Sequence, residues 1–361
     1  MRPPLLVHLA DESHGVDRCA RTVAGAVARL SPATELRRGD AADLDAGAAG
    51  ATAFLGGGLP RDARVHVHVT DRLWGPDPER SAARIEALAA VCDLGVTLHD
   101  LPQASDGPTR LPRRLAFYRR VVAAASVVVV NSEHERHLLR DAVGGGEGAG
   151  VAQAAQVAHV VPLPVPAPRS PGGTDPADRP APDGAVAVLG FFYPGKGHRE
   201  VVDAVARLPR GAARRVTALG RASAGHEGEL AELVAHAVEL GVDLRVTGFL
   251  SDDDLATRAR TAAVPVIAHQ HVSASGSLTD WLAAGRRPLV LDSPYFREMA
   301  RLRPGTLTLV AADALPDAIA GALDDPASTW QESGASTRPD LDDVARAYLD
   351  LWASRGPGER A

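Results

Sequence analysis

The chain of 361 residues holds only two cysteines, Cys19 and Cys92, too few for a disulfide framework. Each sits in an apolar helical pattern, which predicts core thiols in a reducing compartment. Basic side chains are not in excess: 39 lysines and arginines stand against 45 aspartates and glutamates, a formal charge of −6. That balance leaves no electrostatic footprint for nucleic acid. Long apolar runs are absent as well. The longest, residues 121–130, is about half of what a membrane-spanning helix needs. The opening MRPPLLVHLADESHG carries an apolar run too short for a signal peptide. No repeat of solenoid length is apparent. These absences predict a cytoplasmic globular protein, long enough for two domains with substantial cores.

What is present is an alternation of short apolar strands and longer amphipathic helices. Residues 5–9 (LLVHL), 65–69 (VHVHV), 95–99 (GVTLH) and 127–130 (VVVV) read as buried strands. Between them GVDRCARTVAGAVARL, SAARIEALAAVC and LPRRLAFYRRVVAAA have helical period. Near-continuous apolar strands alternating with helices predict an α/β fold with a doubly wound parallel sheet. The composition then changes at PLPVPAPRSPGGTDPADRPAP, residues 162–182, which reads as a proline-rich linker. Beyond it the alternation restarts with strands at 186–189, 215–219, 244–246, 264–268 and 288–291. The expected organisation is a domain over 1–165, a linker over 166–184, a second domain over 185–340, and a C-terminal amphipathic helix in 341–361 that could cross back to the first domain. GGGEGAG at 144–150 reads as a flexible loop. Two such domains predict a cleft, with ligands beyond the carboxyl ends of the strands.

Several segments fall beside such strand ends. In LGFFYPGKGHREVVDAV a strand ends at Leu189 and Gly190, a loop presents Lys196 and Gly197, and a helix begins. A lysine there can neutralise a phosphate, with backbone amides and the helix dipole adding to it. The alternative is a solvated lysine before an ordinary helix start. In VPVIAHQHVSASGSLTDWLAAGRRPLVL a turn of small residues, 273–277, opens a helix that closes at Gly285. Its amides can approach an anion without obstruction at Gly276, and Ser275 and Ser277 add hydroxyls. A serine N-cap explains the same pattern. Asp280, one turn on, is placed to accept from a ribose diol, or is simply solvated.

Three further patterns weigh less. SDDDL at 251–255 looks like an acidic metal site, but Ser251 and Asp254 have capping-box spacing. His66 and His68 share a strand face, as do His269 and His271, without a third or fourth ligand at diagnostic spacing for zinc. Cleft-lining roles for His68 and His271 stay open. The arginines of RRLAFYRR, residues 113–120, could meet an acidic acceptor or a membrane surface, or form a solvated helix face.

Taken together, GFFYPGKGHREVVDA, LRVTGFLSDDDLATRARTAAVPVIA and SGSLTDWLAAGRRPLVLDSPYFREM resemble the nucleotide-sugar half of GT-B glycosyltransferases, most nearly glycosyltransferase family 4. ESHGVDRCARTVA, VTLHDLP and VVVVNSEHERHLL are similar to that family's N-terminal domain. The resemblance implies two Rossmann-like domains facing a cleft. It implies sugar transfer from a nucleotide-diphosphate donor to an unidentified acceptor (a glycan, a lipid or a small molecule), with retention of configuration and often without a protein base. No metal and no other cofactor are implied. Lys196 matches the basic residue on the donor diphosphate, and Ser275, Gly276 and Ser277 match the turn over the phosphates beside the strand-end Gly190. His99 matches the histidine lining the sugar site, Gly15 the loop facing the diphosphate, and Asp280 the second glutamate of a Glu-x7-Glu motif. The first glutamate is replaced by Val272, and the basic residue after the strand-end glycine by Phe191. Two other readings stay in play: a nucleotide-sugar epimerase of the same architecture, which the Val272 replacement argues against, and a non-catalytic GT-B scaffold, which it favours.

Overall fold

The computed structural model describes residues 4–9, 14–57, 60, 63–144, 158–168, 176–209, 211–332 and 334–354. Residues 10–13, most of the glycine-rich 144–150 segment and part of the proline-rich stretch lie outside these. The chain forms two compact units, Met1–Pro164 with Leu341–Ala361, and Val165–Asp340.

The first unit holds strands β1 (Leu5–Leu9), β2 (Leu36–Gly39), β3 (Arg64–Val69), β4 (Asp93–Leu98), β5 (Val127–Val130) and β6 (His159–Val160). They form one parallel sheet in the order β2-β1-β3-β4-β5-β6. Helices α1 (Gly15–Leu30), α2 (Gly47–Phe54), α3 (Pro78–Ala89), α4 (Gly107–Ala124) and α5 (Glu133–Gly144) make the crossovers. Valine dominates the strands because branched side chains fill a sheet covered on both faces. Local signals set the helix starts: Asp77 caps α3 by accepting from the Arg80 amide at 2.8 Å, with proline in the first turn. The last helix among the described residues, α12 (Leu341–Ala353), packs on α1. Val344, Tyr348 and Trp352 join Leu6, Val23, Val27 and Val129 in one buried cluster. The His66 ring lies 5.4 Å from both Tyr348 and Trp352, and its Nε2 is 2.9 Å from Thr97 Oγ1. His66 is thereby a core residue.

The second unit repeats the design. Strands β7 (Val186–Leu189), β8 (Arg215–Leu219), β9 (Asp243–Val246), β10 (Val264–Ile267), β11 (Leu289–Leu291) and β12 (Thr308–Val310) pair in parallel as β12-β11-β10-β7-β8-β9. Helices α6 (His198–Ala206), α7 (Glu227–Glu239), α8 (Asp252–Thr261), α9 (Gly276–Ala283), α10 (Pro294–Leu302) and α11 (Leu315–Asp324) cover it. Ser251 caps α8 by accepting from the Asp254 amide at 3.1 Å, so the acidic run is a helix start. Arg286, 1% exposed, donates to the carbonyls of Ala259, Arg260, Ala262 and Ala263 at 2.6–3.2 Å and pins the end of α8 to the rest of the unit. Among the described residues no helix is long and apolar enough to cross a membrane.

In each sheet the chain reverses its direction of growth once. The first unit does so between β1 and β3, the second between β7 and β10. Loops leaving the two strands of such a pair diverge to opposite faces, which opens a crevice at their carboxyl ends.

Candidate functional site

At the reversal point of the second unit, the loop after β7 and the loop after β10 meet. Gln270 donates its amide to Gly195 O at 2.9 Å. Gly197, at φ +98, lies so close that a Cβ there would stand 2.3 Å from Ala268 O. Glycine at 197 is therefore a condition for bringing the loops together. Lys196 is buried, 9% exposed, and its Nζ donates to Ser277 Oγ at 3.1 Å. Gly190, at φ +113, makes room for it: a Cβ would sit 3.3 Å from Lys196 Cε. Lys196, Gly190 and Ser277 thus come together at the mouth of α9, with Asp280 close enough to act on Lys196 electrostatically.

The turn before α9 divides its groups between two tasks. Ser275 is the N-cap: its Oγ accepts from the Leu278 amide at 3.3 Å, and its own amide donates to Tyr295 Oη at 3.2 Å. Its amide is spent internally, which corrects the expectation that all three turn amides face an anion. Gly276 and Ser277 are the first helical residues, whose amides have no partner four residues back. Gly276 is exposed with open space around it and an ordinary backbone φ. Burial pushes the Lys196 ammonium down from its ordinary value to about 8, against the opposing pull of Asp280. A desolvated cation beside free helix amides is a place where an anion gains more than it would in water. Phe191 stands where a second basic residue was expected, with the Arg221 guanidinium 5.6 Å above its ring. Val272 is buried in an apolar cluster.

The first unit supplies a second constellation. His99 is the first residue beyond β4, not the last residue of that strand, and both its ring nitrogens are occupied. Nε2 lies 2.9 Å from His68 Nδ1, and Nδ1 lies 3.4 Å from Asn131 Nδ2. Burial holds both imidazoles below their ordinary range, His68 at about 4, so both are neutral near pH 7. Gly15 is an exposed first residue of α1, next to the His14 cap. His271 is exposed, whereas His269 is buried. Sequence reasoning left Asn131 and Glu135 unremarked, although the Ser132-x-x-Glu135 spacing before α5 was visible.

Structure does supply the third ligand that the histidine pattern lacked. Cys19 Sγ and one ring nitrogen each of His68 and His99 lie within 4.8 Å of one another. The surroundings suit a relay better than a metal. A ligating histidine donates its other N–H to an acceptor, but His99 Nδ1 faces an amide nitrogen. Burial also lifts the Cys19 thiol to about 12. The arginines at 113–120 of α4 are engaged as well. Arg113 pairs with Glu79 at 2.6 Å, Arg120 with Glu86 at 2.6 Å, and buried Arg114 with Asp71, Asp100 and Asp106 at 2.6–3.3 Å.

Known structures share this paired architecture. HepE of Anabaena in complex with UDP and glucose aligns with a TM-score of 0.68 at 14% identity, over 98% of this chain and 100% of that one. Sucrose-phosphate synthase from Thermosynechococcus elongatus gives 0.66 at 17% identity, with 98% and 100% covered. The fold is GT-B. A third GT-B structure, the lipopolysaccharide outer core galactosyltransferase WaaB in its apo form, aligns at 0.55 and 12% identity over 97% and 95%. No family model and no curated protein sequence matches the chain. At such identities the likeness carries the GT-B fold, and function is argued from the site.

Proposed function

We propose that the chain transfers a sugar, of hexose type, from a nucleotide-diphosphate donor to an acceptor with retention of configuration, in the cytoplasm and without a metal. The observation that carries this reading is the buried Lys196 ammonium, 3.1 Å from Ser277 Oγ at the N-terminus of α9 and at the reversal point of a sheet. In such a transfer the glycosidic bond to the diphosphate breaks, and the leaving group gains negative charge as the sugar becomes oxocarbenium-like. Fixed dipoles and a preorganised cation stabilise that charge without reorganising. Lys196 and the amides of Gly276 and Ser277 fill this role, while Asp280 answers the ribose diol. HepE was solved with UDP-glucose, which makes UDP-sugars the first donors to try. Purified protein incubated with a panel of nucleotide sugars, read by mass spectrometry, tests the proposal. Sugar transfer or donor hydrolysis supports it; epimerised donor would move the protein to another reaction class.

One observation favours a second reading. Val272, buried among apolar side chains, puts no carboxylate where the donor sugar would be held. A non-catalytic GT-B scaffold would tolerate that. It would turn over no donor in the panel and would copurify with a partner transferase.

A further inference from the structure

The His68–His99 pair has a direction. Asn131 Nδ2 lies 3.0 Å from Leu98 O and 2.9 Å from Glu135 Oε2, and Glu135 Oε2 also accepts the Asn131 amide at 2.7 Å. Both neighbours are acceptors, so the side-chain amide of Asn131 can be oriented only with its nitrogen toward them. That nitrogen is the atom facing His99 Nδ1. A proton on His99 Nδ1 would point at a donor, so Nδ1 keeps its lone pair and the ring proton sits on Nε2. His99 Nε2–H then donates to His68 Nδ1 at 2.9 Å, and a neutral His68 must carry its own proton on Nε2. His68 Nε2 makes no hydrogen bond among the described residues, and the residue keeps 7% of its surface exposed. His68 lies near the end of β3, one of the two strands at the reversal point of its sheet.

We infer that His68, not His99, is the ligand-contacting histidine, its Nε2–H aimed at an oxygen acceptor of the ligand, with His99, Asn131 and Glu135 as positioning residues that fix that proton. The oxygen belongs to a sugar hydroxyl or to a phosphate. Glu135 is fully buried, and its amide is held by Ser132 Oγ at 3.0 Å. The carboxylate is thus fixed by the start of α5, and its reach through Asn131 needs no movement. Cys19, protonated, offers no competing base. The contact with ligand rests on the transferase reading; the proton arrangement does not.

The test uses the full chain labelled with 15N in its histidine rings, with signals assigned through His68→Gln and His99→Gln. Long-range proton–nitrogen spectra at pH 7 should show both histidines as neutral Nε2–H tautomers. Asn131→Ala, in protein shown to be folded by circular dichroism, should release His99 into a mixture of tautomers. His99 found as Nδ1–H in the unmutated chain overturns the relay whatever the protein's activity. Titration with UDP-glucose, UDP and glucose then identifies the oxygen. A shift of the His68 Nε2 signal with glucose and UDP-glucose assigns a sugar hydroxyl, and a shift with UDP and UDP-glucose assigns phosphate. No shift with any of the three overturns the contact. Turnover of UDP-glucose by the unmutated protein separates the two failures. If it turns over while His68→Gln stays within twofold, the contact falls and the transferase reading stands. A loss of at least tenfold in His68→Gln is the expected result.

Discussion

Raising the pH from 7 to 9 should weaken the binding of a nucleoside diphosphate, and Lys196 sets the size of the effect. Its ammonium titrates near 8 rather than at its ordinary 10.5, because the loops after β7 and β10 bury it. About nine-tenths of it is charged at pH 7 and about one-tenth at pH 9. If only the charged form holds the diphosphate, UDP affinity falls about tenfold across that range, or about 1.4 kcal/mol. The ligand adds little to the slope, since its last phosphate proton leaves near pH 6. Isothermal titration at pH 7, 8 and 9 reads the trend directly. Lys196→Arg provides the control, because a guanidinium does not titrate there and its affinity should stay level. The apo fold responds with the opposite sign. Between about 8 and 10.5 the unfolded chain holds more protons on this lysine than the folded chain, so rising pH stabilises the free protein. A thermal-shift experiment must therefore read the increment on adding UDP, not the raw Tm. A level profile in the unmutated protein, or the same fall in Lys196→Arg, would remove Lys196 from the anion site.

Gly276→Val should fold normally, since the position is open and its φ ordinary, yet bind UDP at least tenfold more weakly while uridine binding changes little. Equal losses for both ligands in calorimetry would mean the turn only caps its helix. Gly197→Ala should lower stability by about 2 kcal/mol or more, from a positive φ and a Cβ placed 2.3 Å from Ala268 O. A urea midpoint within error of the unmutated protein would contradict the close approach of the two loops. Arg286→Met should cost about 3 kcal/mol or more, because four backbone carbonyls lose their shared donor inside the unit. Retention of the full urea midpoint would show that those carbonyls find other partners.

The alternation of apolar runs and helical periods was enough to place nine of the strands, since strands such as VVVV and RVHVHV are covered on both faces. Strand β2 escaped notice because LRRG is a half-exposed edge whose pattern is polar. The pair His159–Val160 and the short β12 are defined by their neighbours in the sheet, not by their own composition. Lys196 and the 273–277 turn were legible as loop-to-helix junctions, but the division of labour within the turn was not. That Ser275 gives its amide to Tyr295, twenty residues on, is a tertiary fact. The same holds for His99, whose two nitrogens are claimed by His68 and Asn131, each about thirty positions away. Spacing identifies a histidine at a strand end; only packing decides which neighbour takes its lone pair.

The chain leaves the first unit at Pro164 and returns to it at Leu341. The second unit is therefore an insertion, bounded at both ends by segments of the first. On a ribosome the residues emerge in order, and the helix that covers α1 and seals His66 comes after the whole second unit. The inserted unit has every strand and helix it needs before that helix is made. Its host has to wait, with Leu6, Val23, Val27 and Val129 uncovered for the time it takes to synthesise the whole of the guest. Newborn chains should thus meet chaperones through the half that was made first.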